Sequence, residues 1–227
     1  MSNRPIALLS AISMVASLLI TAPLPAAATS HEVVVKVTTA TGLKTEIAGD
    51  ADVIVIDSSE QPILIDLAQP ITVGRDVTIR GAASTAEATT LKVTGNSPAL
   101  IITSGNVTLE RFAITGANDR KASGGAVSVH AGATLTMREM SVYKNFAGEG
   151  GGLYNAGTTH IEDSVFYANE SFGKGGAINN AGELRVSNST FASNDAGQGG
   201  AISSSGMAEL RFVTIVGNSS KNKIGAG

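Results

Sequence analysis

Four stretches of this 227-residue chain can be written one beneath the other. They are Leu135-Thr-Met-Arg-Glu-Met-Ser-Val-Tyr-Lys-Asn145, His160-Ile-Glu-Asp-Ser-Val-Phe-Tyr-Ala-Asn169, Leu184-Arg-Val-Ser-Asn-Ser-Thr-Phe-Ala-Ser-Asn194 and Leu210-Arg-Phe-Val-Thr-Ile-Val-Gly-Asn218. Their closing asparagines are 24, 25 and 24 residues apart. Between them lie Gly124-Gly-Ala-Val127, Gly151-Gly-Leu-Tyr154, Gly175-Gly-Ala-Ile178 and Gly199-Gly-Ala-Ile202, spaced 27, 24 and 24. Two independent markers with one shared period indicate a stacked repeat architecture.

The spacing of glycines decides which architecture. Gly-Gly, Asn-Ala-Gly or Ser-Ser-Gly recurs every 6–12 residues. A helical repeat would lose about 1 kcal/mol against alanine at each internal glycine. The short runs between these breaks are rich in Val, Ile, Thr and Phe, as strands are. The fold expected is therefore all-β: a single-stranded, right-handed parallel β-helix with about 24 residues per rung, three short strands and three turns each. Successive rungs would pair in parallel about 4.8 Å apart. Upstream, residues 53–56, 63–67, 77–79, 91–93, 100–102 and 107–109 read as further strands, and Arg111-Phe-Ala-Ile-Thr-Gly-Ala-Asn118 as a degenerate rung ending on Asn118.

Alternation within a rung assigns its faces. Counting back from each asparagine, position −3 holds Val142, Phe166, Phe191 and Ile215, and position −8 holds Met137, Ile161, Val186 and Leu210. These point inward. Position −9 (Thr136, His160, Arg185, Glu209) and position −7 (Arg138, Glu162, Ser187, Arg211) point outward. Stacking places Arg138 beside Glu162 and Arg185 beside Glu209, where opposite charges on neighbouring strands contribute about 0.2–1 kcal/mol each. Asn145, Asn169, Asn194 and Asn218 share one bend; an asparagine side chain bonds local backbone and tolerates left-handed φ, and stacked amides can form a ladder. Near the start, Leu43 and Ile47 form an i, i+4 pair, so residues 40–50 are expected to be a short helical cap on the first rung. At the other end, Ile224-Gly-Ala-Gly227 reads as the opening of another rung. Either the reading frame continues, or a partner covers the last rung through end-to-end association.

Residues 1–28 read as a secretory signal peptide: Arg4, an apolar core over 6–20, Pro23 and Pro25, then Ala26-Ala-Ala28. The mature β-helix would span 29–227, exported to a periplasm, outer surface or extracellular space. No later stretch could cross a membrane as a helix. With no cysteine, disulfides, thiolate metal sites and a thiol nucleophile are excluded. A net charge of −3 gives no basic field for nucleic acid.

The chain resembles β-helix proteins with the polymorphic outer membrane protein repeat, which pairs Gly-Gly-Ala-Ile with Phe-x-x-Asn. Gly175-Gly-Ala-Ile178, Gly199-Gly-Ala-Ile202, Phe166-Tyr-Ala-Asn169 and Phe191-Ala-Ser-Asn194 match it directly, and the likeness covers residues 120–218. The resemblance implies an exported bacterial passenger involved in adhesion at the cell surface.

The rival reading is a polysaccharide lyase or glycoside hydrolase on the same scaffold. A hydrolase needs two carboxylates across the scissile bond, and a calcium-dependent lyase an oxygen-rich cluster. The acids available are Asp119 beside Arg120, Glu162 beside Asp163, and Asp195. Glu162 and Asp163, being consecutive on a strand, would face opposite sides. His31, His130 and His160 are scattered, and the four Asn-x-Ser/Thr sequons at Asn106, Asn169, Asn188 and Asn218 include two ladder positions. No catalytic, cofactor or metal residues are assigned. Tyr143 and Tyr167 share an outward column and could grip a sugar ring or a protein partner. The expected function is exported, non-catalytic binding of a surface ligand, protein or polysaccharide.

Overall fold

A computed structural model describes residues 33–221. The expected signal peptide, His31 and residues 224–227 lie outside the described residues. The chain is a parallel β-solenoid of about seven rungs with about 25 residues each. Every strand pairing in it is parallel, and non-consecutive strands are neighbours in all four sheets.

Four sheets, rather than three, form the walls. In chain order within a rung, sheet 1 is eight-stranded and includes Thr134–Arg138, Thr158–Glu162, Glu183–Ser187 and Met207–Arg211. Sheet 2 is seven-stranded and includes Ser141–Tyr143, Val165–Tyr167 and Thr190–Ala192. Sheet 3 has five strands, among them Phe146–Glu149, Glu170–Lys174 and Asp195–Gln198. Sheet 4 has six, among them Leu153–Asn155, Ile178–Asn180 and Ile202–Ser204. Sheet 3 starts at Asn118–Ser123, so the earlier rungs have three walls and the later ones four. Its strands lack the branched, apolar composition that marks a strand in sequence.

The inward columns stand as expected. Met137, Ile161, Val186 and Leu210 are in register, as are Val142, Phe166, Phe191 and Ile215. The Phe166 and Phe191 rings stack at 5.2 Å. All are buried except in the last described rung, where Leu210 is 41% and Ile215 39% exposed. At the opposite end the cap helix Ala40–Ala48 buries Leu43 and Ile47 on the core. Thr39 Oγ1 accepts from the Gly42 N–H at 3.1 Å, and the Arg75 guanidinium donates to the Ile47 and Glu46 carbonyls at 3.0 and 2.9 Å. Both helix ends are thus supplied with the partners that the backbone lacks there.

From Arg111 onward, the corners from sheet 1 to sheet 2, from sheet 2 to sheet 3 and from sheet 3 to sheet 4 each turn on one residue of left-handed backbone. Arg111, Glu139, Asp163, Asn188 and Phe212 (φ 47–54°) join sheet 1 to sheet 2. Lys144, Ala168 and Ser193 (φ 51–55°), with Gly116 and Gly217, join sheet 2 to sheet 3. The left-handed position is therefore the residue before each ladder asparagine, not the asparagine. The asparagine faces inward and completes the backbone bonding at the bend. Asn169 Oδ1 accepts from the Asn145 N–H at 3.2 Å and from Asn145 Nδ2 at 3.0 Å, and its own Nδ2 donates to Val142 O and Asn194 Oδ1. The ladder runs from Asn145 to Asn218. One rung earlier its place is taken by Ala117, whose N–H donates to Asn145 Oδ1, while Asn118 is displaced onto the following strand opposite Phe146. The expected rung ending at Asn118 is thus one residue late.

The glycine register needs a similar correction. Val127, Leu153, Ile178 and Ile202 are in register, so Gly150-Gly151, rather than Gly151-Gly152, matches the other pairs. The reason is conformational: the left-handed corner falls on Gly124, Gly150, Gly175 and Gly199, and Gly152 stands where the neighbouring rungs have Ala126, Ala177 and Ala201.

Two stability tests follow from these corners. Asn169→Ala strips four hydrogen bonds from a buried bend, and urea unfolding is expected to show a loss of about 2–4 kcal/mol. Gly175→Ala sets a Cβ 2.0 Å from the Ile178 carbonyl oxygen and is expected to cost more than about 3 kcal/mol. Gly132→Ala, also at positive φ but with nothing within 4 Å, carries only backbone strain of about 1 kcal/mol. Equal losses at the two glycines would contradict the corner geometry.

Candidate functional site

Outward side chains stack in columns as strictly as inward ones, and these columns are the surface available for chemistry. Tyr143 and Tyr167 are in register on sheet 2, with Thr115 before them and Ala192 after. Their rings lie parallel, 4.9 Å between centroids and 5° between planes, and both are partly exposed. The two chain segments that carry them bend identically, each tyrosine preceding a left-handed corner residue, Lys144 or Ala168. Burial pushes the Tyr167 phenol above the usual tyrosine range, and the neighbouring Tyr143 and Glu87 push it the same way. Glu87 lies in the short 3-10 turn Ala86–Ala88, which flanks the Thr89–Val93 and Ala113–Thr115 strands of the same sheet.

Sheet 1 carries the charges. Arg138 Nε donates to Glu162 Oε2 at 2.9 Å, and Arg185 meets Glu183 at 2.7 Å and Glu209 at 3.4 Å. Arg211 bonds Glu209, which holds that carboxyl below its ordinary range. His160, Glu162, Arg185, Glu209 and Arg211 border a shallow groove of about 330 Å³. Its arginines and carboxylates are well exposed and paired with one another, and water screens such pairs, so they add little to stability.

The acids weighed for catalysis are held apart. Asp119 accepts from the Lys121 N–H at 2.9 Å, on a different column of sheet 3 from Asp195 and three rungs away. Arg120 does not join it but lies 3.4 Å over the exposed Phe172 ring. Glu162 pairs with Arg138, while Asp163 occupies an exposed corner. Asp195 stacks on Glu170, and Lys221 bridges both at 3.1 and 3.2 Å. His130 follows the sheet 4 strand Val127–Val129, and His160 is the central residue of the sheet 1 strand Thr158–Glu162, in register with Thr136 and Arg185. Among the described residues, no group of three or more His, Asp or Glu is placed to hold one metal ion. No helix among them is long and apolar enough to cross a membrane. Of the sequons, Asn169 is buried in the ladder.

One arrangement is not evident from the strand pattern of the sequence. Where sheet 3 turns into sheet 4, Glu149, Tyr154, Lys174, Asn179, Gln198 and Ser203 line a second groove of about 330 Å³. Asn179 is 7% exposed and donates to Glu149 Oε2 at 2.9 Å. The signal was present: the residue before each corner glycine and the fourth residue after that glycine repeat with the rung period. It required the glycines to be aligned on Gly150.

No family model matches the chain, and no curated protein sequence matches it. Among solved structures, an alginate lyase from Paenibacillus sp. str. FPU-7 is similar over 81% of this chain and 97% of that one, at 13% identity and a TM-score of 0.42. Similarity of that degree says nothing about activity.

The stacked tyrosines make a spectroscopic prediction. The Tyr167 ring resonances are expected to titrate above the ordinary tyrosine value, and Tyr143→Phe to bring them part of the way down, because burial remains when the second phenol is gone. The fold favours the neutral phenol, so this group's contribution to stability is full below the unfolded tyrosine pKa and is lost as pH rises above it. An unchanged Tyr167 titration in Tyr143→Phe would show that the two phenols are not electrostatically coupled in solution.

Proposed function

We propose that this chain is an exported, non-catalytic β-solenoid that binds a surface ligand, a polysaccharide or a protein, and serves adhesion. The supporting observation is the parallel Tyr143–Tyr167 stack. Two aromatic faces held on consecutive rungs present apolar area with little side-chain entropy to lose on binding. Their neighbours along the column, Thr115 and Ala192, are small and leave the stack accessible. The Gly-Gly-Ala-Ile and Phe-x-x-Asn elements support the same reading through their resemblance to polymorphic outer membrane protein repeats. Export rests on the signal-peptide pattern of residues 1–28.

The test is retention of the purified chain on immobilised cell-surface polysaccharides and on intact cells. Wild type is expected to be retained, and Tyr143→Ala/Tyr167→Ala to lose at least tenfold in apparent affinity with unchanged circular dichroism. Release of unsaturated sugar product from pectate, alginate or polygalacturonate would overturn the non-catalytic reading. Retention that is indifferent to both tyrosines would remove the site.

A further inference from the structure

We infer that the groove between sheets 3 and 4 is a second binding site, for a neutral oligosaccharide, separate from the tyrosine stack. It is built from two columns that meet across a corner. Glu149, Lys174 and Gln198 end successive strands of sheet 3, and Lys174 and Gln198 are paired in register. Tyr154, Asn179 and Ser203 are the outward central residues of successive strands of sheet 4. Gly150, Gly175 and Gly199 turn the chain between the columns at φ 61–66°. Having no side chains, they leave the corner open, so the flanking polar groups converge on one space of about 330 Å³. That volume is at the small end of ordinary ligand sites.

The inventory of groups selects the ligand. A sugar hydroxyl both donates and accepts, and so do the amides of Asn179 and Gln198 and the hydroxyl of Ser203. Glu149 adds an acceptor already oriented by Asn179 at 2.9 Å. Lys174 is exposed and in no ion pair among the described residues, which leaves its ammonium protons for a ligand. The Tyr154 ring, partly exposed in the same wall, offers a face to the C–H side of a pyranose. One carboxylate and one ammonium give no net charge, and Glu149 opposes a polyanion. The groups recur from rung to rung at about 4.8 Å, so the groove runs along the solenoid axis and suits a linear chain rather than a single compact molecule.

The site stands or falls independently of the tyrosine stack. The experiment is a titration of the isotope-labelled chain with cellotetraose, xylotetraose and mannotetraose, followed by the side-chain amide signals of Asn179 and Gln198. At least one of these glycans is expected to shift both signals in a saturable manner. Tyr154→Ala and, separately, Gln198→Ala are expected to weaken that binding at least tenfold, with circular dichroism unchanged. Tyr143→Ala/Tyr167→Ala is expected to leave it unaltered. The proposal is overturned if none of the three glycans moves these signals at millimolar concentration, or if binding survives both Tyr154→Ala and Gln198→Ala. Loss of binding in the double tyrosine variant alone would assign the ligand to the other face.

Discussion

The solenoid depends on hydrogen bonds made where its strands stop. A strand that must turn through a corner leaves backbone groups facing inward, and a buried N–H without a partner costs about as much as a lost hydrogen bond. Here the asparagine of the next rung supplies the partner. Ala117, Asn145, Asn169 and Asn194 each donate their backbone N–H to the amide oxygen of the asparagine one rung on. The amide nitrogens then return to carbonyls of the preceding rung, Ile114, Val142, Phe166 and Phe191. Two smaller ladders do the same elsewhere. Asn155, Asn180 and Ser204 are linked at 2.7 and 2.9 Å beneath the sheet 4 corner, and the Met140 and Ser164 N–H groups donate to Ser164 and Ser189 hydroxyls. Each of these bonds is satisfied only if rungs are in register, so the polar interior, rather than the apolar core alone, sets the alignment. An apolar stack would tolerate a slip; a chain of directional bonds does not.

Fixed register is what gives the outer surface its order. Because every inward residue has one place, every outward residue has one neighbour above and one below. That accounts for the sheet 1 charges, which pair across rungs as Arg138–Glu162 and Arg185–Glu209. It also accounts for Glu170 and Asp195: in adjacent positions they would repel, and Lys221 lies between them. The Lys221 ammonium is held above the ordinary lysine range by its bonds to Asp195 and then Glu170. The same register sets the tyrosine stack and the polar groove at the sheet 3–4 corner in order from rung to rung.

Much of this was legible in the sequence, and the part that was not has a common cause. Period 24 combined with alternation of two placed Met137 over Ile161, Phe166 over Phe191 and Tyr143 over Tyr167, because those residues lie within continuous strands where both rules hold. The cap helix followed from Leu43 and Ile47 at i, i+4. What escaped lies at corners. Asn118 looked like a ladder residue but the corner falls one residue earlier, with left-handed Gly116 followed by Ala117. Three glycines at 150–152 offered two registers, and only backbone conformation chooses between them. Sheet 3 was invisible because Phe146–Glu149 and Asp195–Gln198 read Phe-Ala-Gly-Glu and Asp-Ala-Gly-Gln, with inward Ala147 and Ala196 too small to mark a buried strand. The groove was lost with it, since Glu149, Lys174 and Gln198 come from the ends of that sheet.

A ligand that suits such a surface shares its periodicity. The solenoid shows any outward group along a line at about 4.8 Å intervals, and a stack of two tyrosines or three polar rungs is a short ruler of that spacing. A compact molecule would engage one rung and gain nothing from the next. A linear polymer engages successive rungs with successive units, and each further contact is made by a ligand already held, at high effective concentration. Individually weak contacts on partly exposed side chains then sum to useful retention without any deep pocket. Shallow grooves of about 330 Å³ would therefore be no handicap to binding a ligand that is itself a chain, and the register fixed by the asparagine ladder would keep the spacing of the outward groups constant along it.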